Sequence, residues 1–190
     1  NTAIHSNHRA FVAMFSMVSR LRRLVAQYGK DDADARAQSQ ALLEHAERSL
    51  GEAYQVAVEN KGLPLLAALR AGDGSFWRNQ DSACDFAHFI ATQYIRTARM
   101  RNKVMGAVGR FGIDFKRVWP VESHFWASEI GLALFAKSEH YRPVILSNTS
   151  GTPFITGDQP AINLTPEAGF MKLYYPVAPD RALLLTAEAG

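Results

Sequence analysis

The sequence predicts an α+β fold, mainly helical over residues 1–142 and completed by a small antiparallel sheet over residues 143–190. Three observations carry this reading. Apolar residues recur at steps of three or four through the longer, N-terminal part, which is the period of an amphipathic helix. After Pro143 the pattern changes to short β-prone runs: Val144-Ile145-Leu146, Phe154-Ile155, Ala161 to Leu164, Lys172 to Pro176 and Ala182 to Thr186. The first two runs flank Asn148-Thr149-Ser150-Gly151, turn chemistry that predicts a hairpin. Helices followed by strands, without alternation, describe a single α+β domain.

The elements follow in order. Phe11, Phe15, Val18 and Val25 place a helix over Ala10 to Tyr28, ended by Gly29. Asp31 and Asp32 suit the positive end of a second helix reaching about Asn60, with Leu42, Leu43, Ala46, Leu50, Tyr54 and Ala57 as its apolar stripe. Lys61-Gly62-Leu63-Pro64 reads as a break, and Ala71-Gly72-Asp73-Gly74 as a loop. Gln80 to about Val104 is the clearest helix, with Phe86, Phe89, Ile90, Met100 and Val104 on one face. Phe111 to Val121 reads as irregular. His124 to Tyr141 is a helix apolar nearly all round, the mark of burial on several sides.

A chain of 190 residues, 47% hydrophobic and 21% charged, is long enough for a sizeable core and too apolar for disorder. No run is long enough to span a bilayer, and no signal-peptide pattern is present. The chain begins at Asn1 without Met and reads as a fragment, on which the rest of a parent chain would pack. Cys84 is the only cysteine, which excludes an intrachain disulfide and fits a reducing cytoplasm, as it fits any compartment where no disulfide is needed. Charge is blocked along the chain. Residues 1–30 are basic, residues 31–60 are acidic, and Arg96, Arg99, Arg101 and Lys103 cluster further on. Such blocks are complementary faces of a helical bundle or a basic surface for nucleic acid.

Phe89-Ile90-Ala91-Thr92-Gln93-Tyr94-Ile95-Arg96-Thr97, a tryptophan-containing helix, Phe154-Ile155-Thr156-Gly157-Asp158-Gln159-Pro160 and Tyr175-Pro176-Val177-Ala178-Pro179 occur in that order. Over roughly Leu50 to Leu185 the chain resembles the bacterial domain of unknown function 4238 family, whose members carry a similar Phe-Ile-Thr-Ser-Asp-Asn-Pro segment. Gly157 and Gln159 stand where the family has Ser and Asn. The family's N-terminal His-Tyr-x-Pro motif is not in its place, and His140-Tyr141-Arg142-Pro143 matches it only in letters. The resemblance implies no reaction and no cofactor.

The candidate ligand-binding residues are Gln93, Arg96 and Thr97. Gln93 and Thr97 fall inside an apolar stripe, and Arg96 stands at its edge with a planar fork suited to an anion. Gln93 and Arg96 also have a structural reading, tying their helix to loop carbonyls or to Asp158. The candidate catalytic residues are Glu129 and Asp158. Asp158 occupies a turn, where Asp ordinarily accepts backbone N–H bonds. Glu129 shares a helical face with Phe125, Leu132 and Ala136, which predicts a buried carboxylate paired with a cation, Arg96 first among them. Both candidates have structural salt-bridge or capping readings. His5 and His8 share a face but lack a third ligand, so no metal site is assigned. His88 falls on a polar face and reads as solvated, His124 as a helix start, Cys84 as a bystander thiol. No Walker loop, Gly-x-Gly-x-x-Gly, Gly-x-Ser-x-Gly or His-Glu-x-x-His is present. Two functional readings follow. One is a binding or regulatory module. The alternative is a phosphoester-cleaving enzyme with Arg96, Glu129 and Asp158 around one cleft near the Thr156–Pro160 turn.

Overall fold

The computed structural model describes residues 33–108 and 115–187, together with residues 13, 16, 19, 20, 22, 23, 26 and 27, which are helical. His5, His8 and the expected helix start at Asp31-Asp32 lie outside the described residues, as does part of the expected helix over 10–28. The chain divides into two compact units, Asn1–Ala57 and Val58–Gly190. Helix α1 (Ala33–Arg70) begins in the first and ends in the second. In the first unit Leu43 and Tyr54 are buried, while Leu42 and Val56 are exposed.

In the second unit α1 runs on through Lys61-Gly62-Leu63-Pro64, where the sequence predicts a break. Pro64 removes one N–H from the ladder. Packing outweighs that loss. Gly62 lets the ring of Phe89 lie against the helix backbone, since a Cβ there would come within 2.2 Å of it. Val58 and Leu69 are buried on either side of the proline. The helix ends in a Schellman motif: Gly72 adopts φ +85°, its N–H donates to Leu69 O, and Asp73 N–H donates to Ala68 O at 2.8 Å. The end is tied to the sheet, because Arg70 Nε donates to Val177 O at 2.7 Å and Arg181 Nη1 donates to Arg70 O.

Asp73 then accepts from Ser75 N and opens a 3₁₀ turn, Ser75–Arg78. That hydrogen bond holds the Asp73 carboxyl below its usual range. Asn79 caps helix α2 (Gln80–Ile95) by accepting from Ser82 N at 3.0 Å. The expected single helix from Gln80 to Val104 is two: α2 stops at Ile95, and α3 (Ala98–Val108) starts after Arg96-Thr97. Helix α4 (Phe115–Ala136) begins inside the stretch expected to be irregular and ends before Tyr141. Phe86, Ala87, Ile90 and Ala91 of α2 form the core of this helical layer.

The sheet has the order β1-β4-β3-β2, all antiparallel, with β1 Tyr141–Ser147, β2 Ile162–Asn163, β3 Leu173–Ala178 and β4 Arg181–Ala187. The hairpin expected between Val144-Ile145-Leu146 and Phe154-Ile155 does not form. Val144 pairs with Leu184 and Leu146 with Ala182, and Phe154-Ile155 lies in no strand. Asn148 turns the chain instead as an Asx turn, its Oδ1 accepting from Ser150 N at 2.8 Å. Leu173, Tyr175 and Val177 alternate into the core, with Ala182, Leu183 and Leu185 beside them on β4. On the outer edge, Trp77 Nε1 donates to Tyr141 O at 2.9 Å. Pro143 lies on the same side of the strand two residues on, so its missing N–H falls where no partner strand needs it.

Candidate functional site

Small residues let α2 and α4 approach closely. A Cβ on Gly131 would lie 2.9 Å from His88 Cα, and Ala87, Ala91 and Ala127 are wholly buried at this crossing. A polar seam runs through it. His88 is 8% exposed and His124 3%, and Thr92 and Ser123 are also buried. The Ser128 hydroxyl donates to His124 O at 2.9 Å and stands 3.5 Å from His88 Nε2, the outer limit of hydrogen bonding. Burial, reinforced on His124 by the Arg96 and His88 charges, pushes both imidazoles down to about 4. At neutral pH both are uncharged. His88 is therefore not solvated, and His124 lies in the middle of α4, not at a helix start. The sequence missed this seam because polarity on a wheel was taken for exposure. The signal was the neighbouring small residues, which mark a close helix contact. Cys84 is buried, and desolvation raises its thiol to about 11, which leaves it an inert thiol.

The predicted site residues fall in different places. Thr97 is buried and caps α3, its Oγ1 accepting from Met100 N at 3.2 Å. That bond accounts for a hydroxyl in an apolar stripe. Thr97→Ala is expected to lower stability by about 1 kcal/mol and to fray α3, read as a lower urea midpoint and reduced helical circular dichroism. Gln93 is half-buried. Arg96 is bound by Glu59 at 3.4 Å, not by Glu129. Glu129 is exposed, which overturns its expected burial. The helical wheel grouped it correctly with Phe125 and Leu132, but that face points outward, with Phe125 46% and Leu132 50% exposed. The inward face of α4 is the one carrying His124, Ala127, Gly131 and Leu134. Asp158 is exposed in its turn, beside half-buried Gln159. Among the described residues no ion pair or hydrogen bond joins Arg96, Glu129 and Asp158.

Helix α3 carries a different kind of surface. Its sequence, Ala-Arg-Met-Arg-Asn-Lys-Val-Met-Gly-Ala-Val, has no acid. Arg99, Arg101, Asn102 and Lys103 are exposed, and the three cations take part in no ion pair among the described residues. No acidic group on the helix neutralises them, so they form a concentrated positive surface. Among the described residues no group of three or more His, Cys, Asp or Glu is placed to hold a metal ion, and no helix is long and apolar enough to cross a membrane. No protein-family model, curated protein or solved structure matches the chain.

Proposed function

We propose that the chain is a binding module whose partner is nucleic acid, held through its phosphates by helix α3. The observation that carries this reading is the acid-free helix with Arg99, Arg101 and Lys103 exposed on it. Phosphate contacts of this kind position a strand without reading its bases. The same reading places the module in the cytoplasm, and in the bacterial domain of unknown function 4238 family on the strength of Phe89 to Thr97 and Phe154 to Pro160. The phosphoester-cleaving alternative has weaker support, since Glu59 engages Arg96 while Glu129 and Asp158 stand exposed.

Fluorescence anisotropy with a labelled oligonucleotide tests the proposal. Three phosphate contacts predict an affinity that falls about forty-fold between 50 and 200 mM salt on a duplex, nearly independent of base sequence. The triple reversal Arg99→Glu, Arg101→Glu, Lys103→Glu is expected to abolish binding while the melting temperature stays close to that of the parent. Absence of binding at low salt, or binding that the reversal leaves intact, would refute the role of α3.

A further inference from the structure

We propose that the outer face of the sheet binds single-stranded nucleic acid by stacking its bases on Tyr174 and Phe154. The inference rests on the reading of the chain as a nucleic-acid-binding module and names the form of nucleic acid it takes. An antiparallel sheet with one buried face ordinarily turns polar side chains to water. This sheet does not. A Cβ on Gly74 would lie 3.5 Å from Pro143 Cγ and 3.8 Å from Ile145 Cδ1, so this side of β1 faces the 3₁₀ turn and Val144 faces away. The register then sets one row across all four strands on the outer face. Val144 stands opposite Leu184, Leu184 opposite Tyr174, and Tyr174 opposite Ile162. Every member of the row is apolar or aromatic. Its ends are open, with Val144 41% and Ile162 36% exposed, and Leu184 and Tyr174 between them are half-buried. Phe154, from the connection between β1 and β2, meets the Tyr174 ring edge-on at 6.3 Å.

Charge decides what such a face takes. The four strands contain no Asp or Glu. The described acids after Tyr141, namely Asp158, Glu167 and Asp180, stand in the connections. Cations flank the row instead. Lys172 lies two residues before Tyr174 and Arg142 two residues before Val144, so both belong to the outer face, about 7 Å along the strand from the row. Arg142 is exposed and Lys172 half-buried. An apolar peptide would use the row and leave the cations idle. An acidic peptide would use the cations and leave the rings idle. A single strand uses both, its flat bases on the aromatic rings and its phosphates on the cations. Stacking of this kind tolerates any sequence, because every base has a π face. A duplex keeps its bases stacked on one another and offers the rings nothing. The sheet therefore selects single strands, whereas the phosphate contacts of α3 serve either form.

Fluorescence anisotropy at low salt compares a labelled, unstructured single strand with a duplex of the same length. The parent is expected to prefer the single strand. Tyr174→Leu keeps an apolar side chain and removes the ring. It should weaken single-strand binding about five- to hundredfold and leave duplex binding unchanged, while Tyr174→Phe retains the preference. Lys172→Gln should make the salt dependence of single-strand binding shallower by about 0.7 in logarithmic slope. Thermal melts establish that the variants are folded. Should Tyr174→Leu fail to fold, photocrosslinking of the parent to a single strand carrying 5-iodouracil, mapped by mass spectrometry, decides the matter, with crosslinks to Tyr174 or Phe154 expected. If single strand and duplex bind alike, Tyr174→Leu changes neither and crosslinks fall outside the sheet, the inference is overturned while the role of α3 stands. Single-strand binding lost in Tyr174→Leu but intact in the α3 reversal keeps the sheet and refutes α3. A parent that binds neither probe overturns both readings, and a sedimentation dimer that Val144→Asp dissolves then assigns the face to a second copy.

Discussion

Phe86→Ala is expected to lower stability by about 3–5 kcal/mol, the range for emptying a buried aromatic site. Phe86 has no exposed surface and is the largest fully buried side chain described. Its ring meets Phe76 at 5.1 Å and Trp77 at 6.4 Å, both edge-on, and Phe89 at 6.1 Å. One side chain therefore joins α2, the 3₁₀ turn and, through Phe89, the Gly62 region of α1. The neighbours cannot close the gap freely. Trp77 is held by hydrogen bonds to Ser138 O and Tyr141 O, and Phe89 by its seat on Gly62. Urea denaturation gives the number. A loss below about 1 kcal/mol would mean that the site collapses around the smaller residue.

Gly131→Leu is expected to have an effect of similar size by the opposite route, overpacking. A Cβ at this position would meet His88 Cα at 2.9 Å, His88 N at 3.2 Å and Ala87 O at 3.3 Å. All three are backbone atoms of α2, so no rotamer change relieves the contact. The helices must separate, and every pairing along the crossing suffers. Even Gly131→Ala, which gains about 1 kcal/mol of helix propensity, is expected to be net destabilising, because overpacking typically costs about 1–3 kcal/mol. Gly106 of α3 supplies the contrast. Nothing lies within 4 Å of a Cβ there, so Gly106→Ala is expected to stabilise the protein by up to about 1 kcal/mol. Thermal melts of the two alanine variants should move in opposite directions. A Gly131→Ala protein as stable as the parent would show that the crossing is loose.

Much of the fold was legible because the pattern changes from helical period to β-prone runs near Pro143. The turn at Gly72, the heart of α2 and all four strands were read close to where they lie, with Phe154-Ile155 as one strand too many. The errors share a cause. Local signals are decided by contacts distant in sequence. Pro64 reads as a break until Phe89 is seen seated on Gly62. Asn148 to Gly151 reads as a hairpin turn until β1 is found paired with β4. Thr97 reads as a polar intrusion, yet three residues on it receives the Met100 N–H and starts a new helix. Glu129 was assigned to the wrong side because a helix apolar all round does not declare which face packs. Packing went to the face of small residues, where backbones approach most closely, and left Phe125 and Leu132 outside. The basic cluster at Arg99, Arg101 and Lys103 was visible in the charge pattern, since solvation needs no distant partner.

The strand order bears on how the polypeptide matures during translation. β4, residues 181–187, lies between β1 and β3 and pairs with both. Only the short β2–β3 ladder forms without it. A nascent chain arrested before Arg181 therefore holds Val144-Ile145-Leu146 with no neighbouring strand to cover its backbone. Arg70 at the close of α1 likewise waits for Arg181 to reach its carbonyl. The helical segments are synthesised first, and the sheet stays incomplete until residues 181–187 leave the ribosome. That interval is when chaperone capture and misassembly compete with folding.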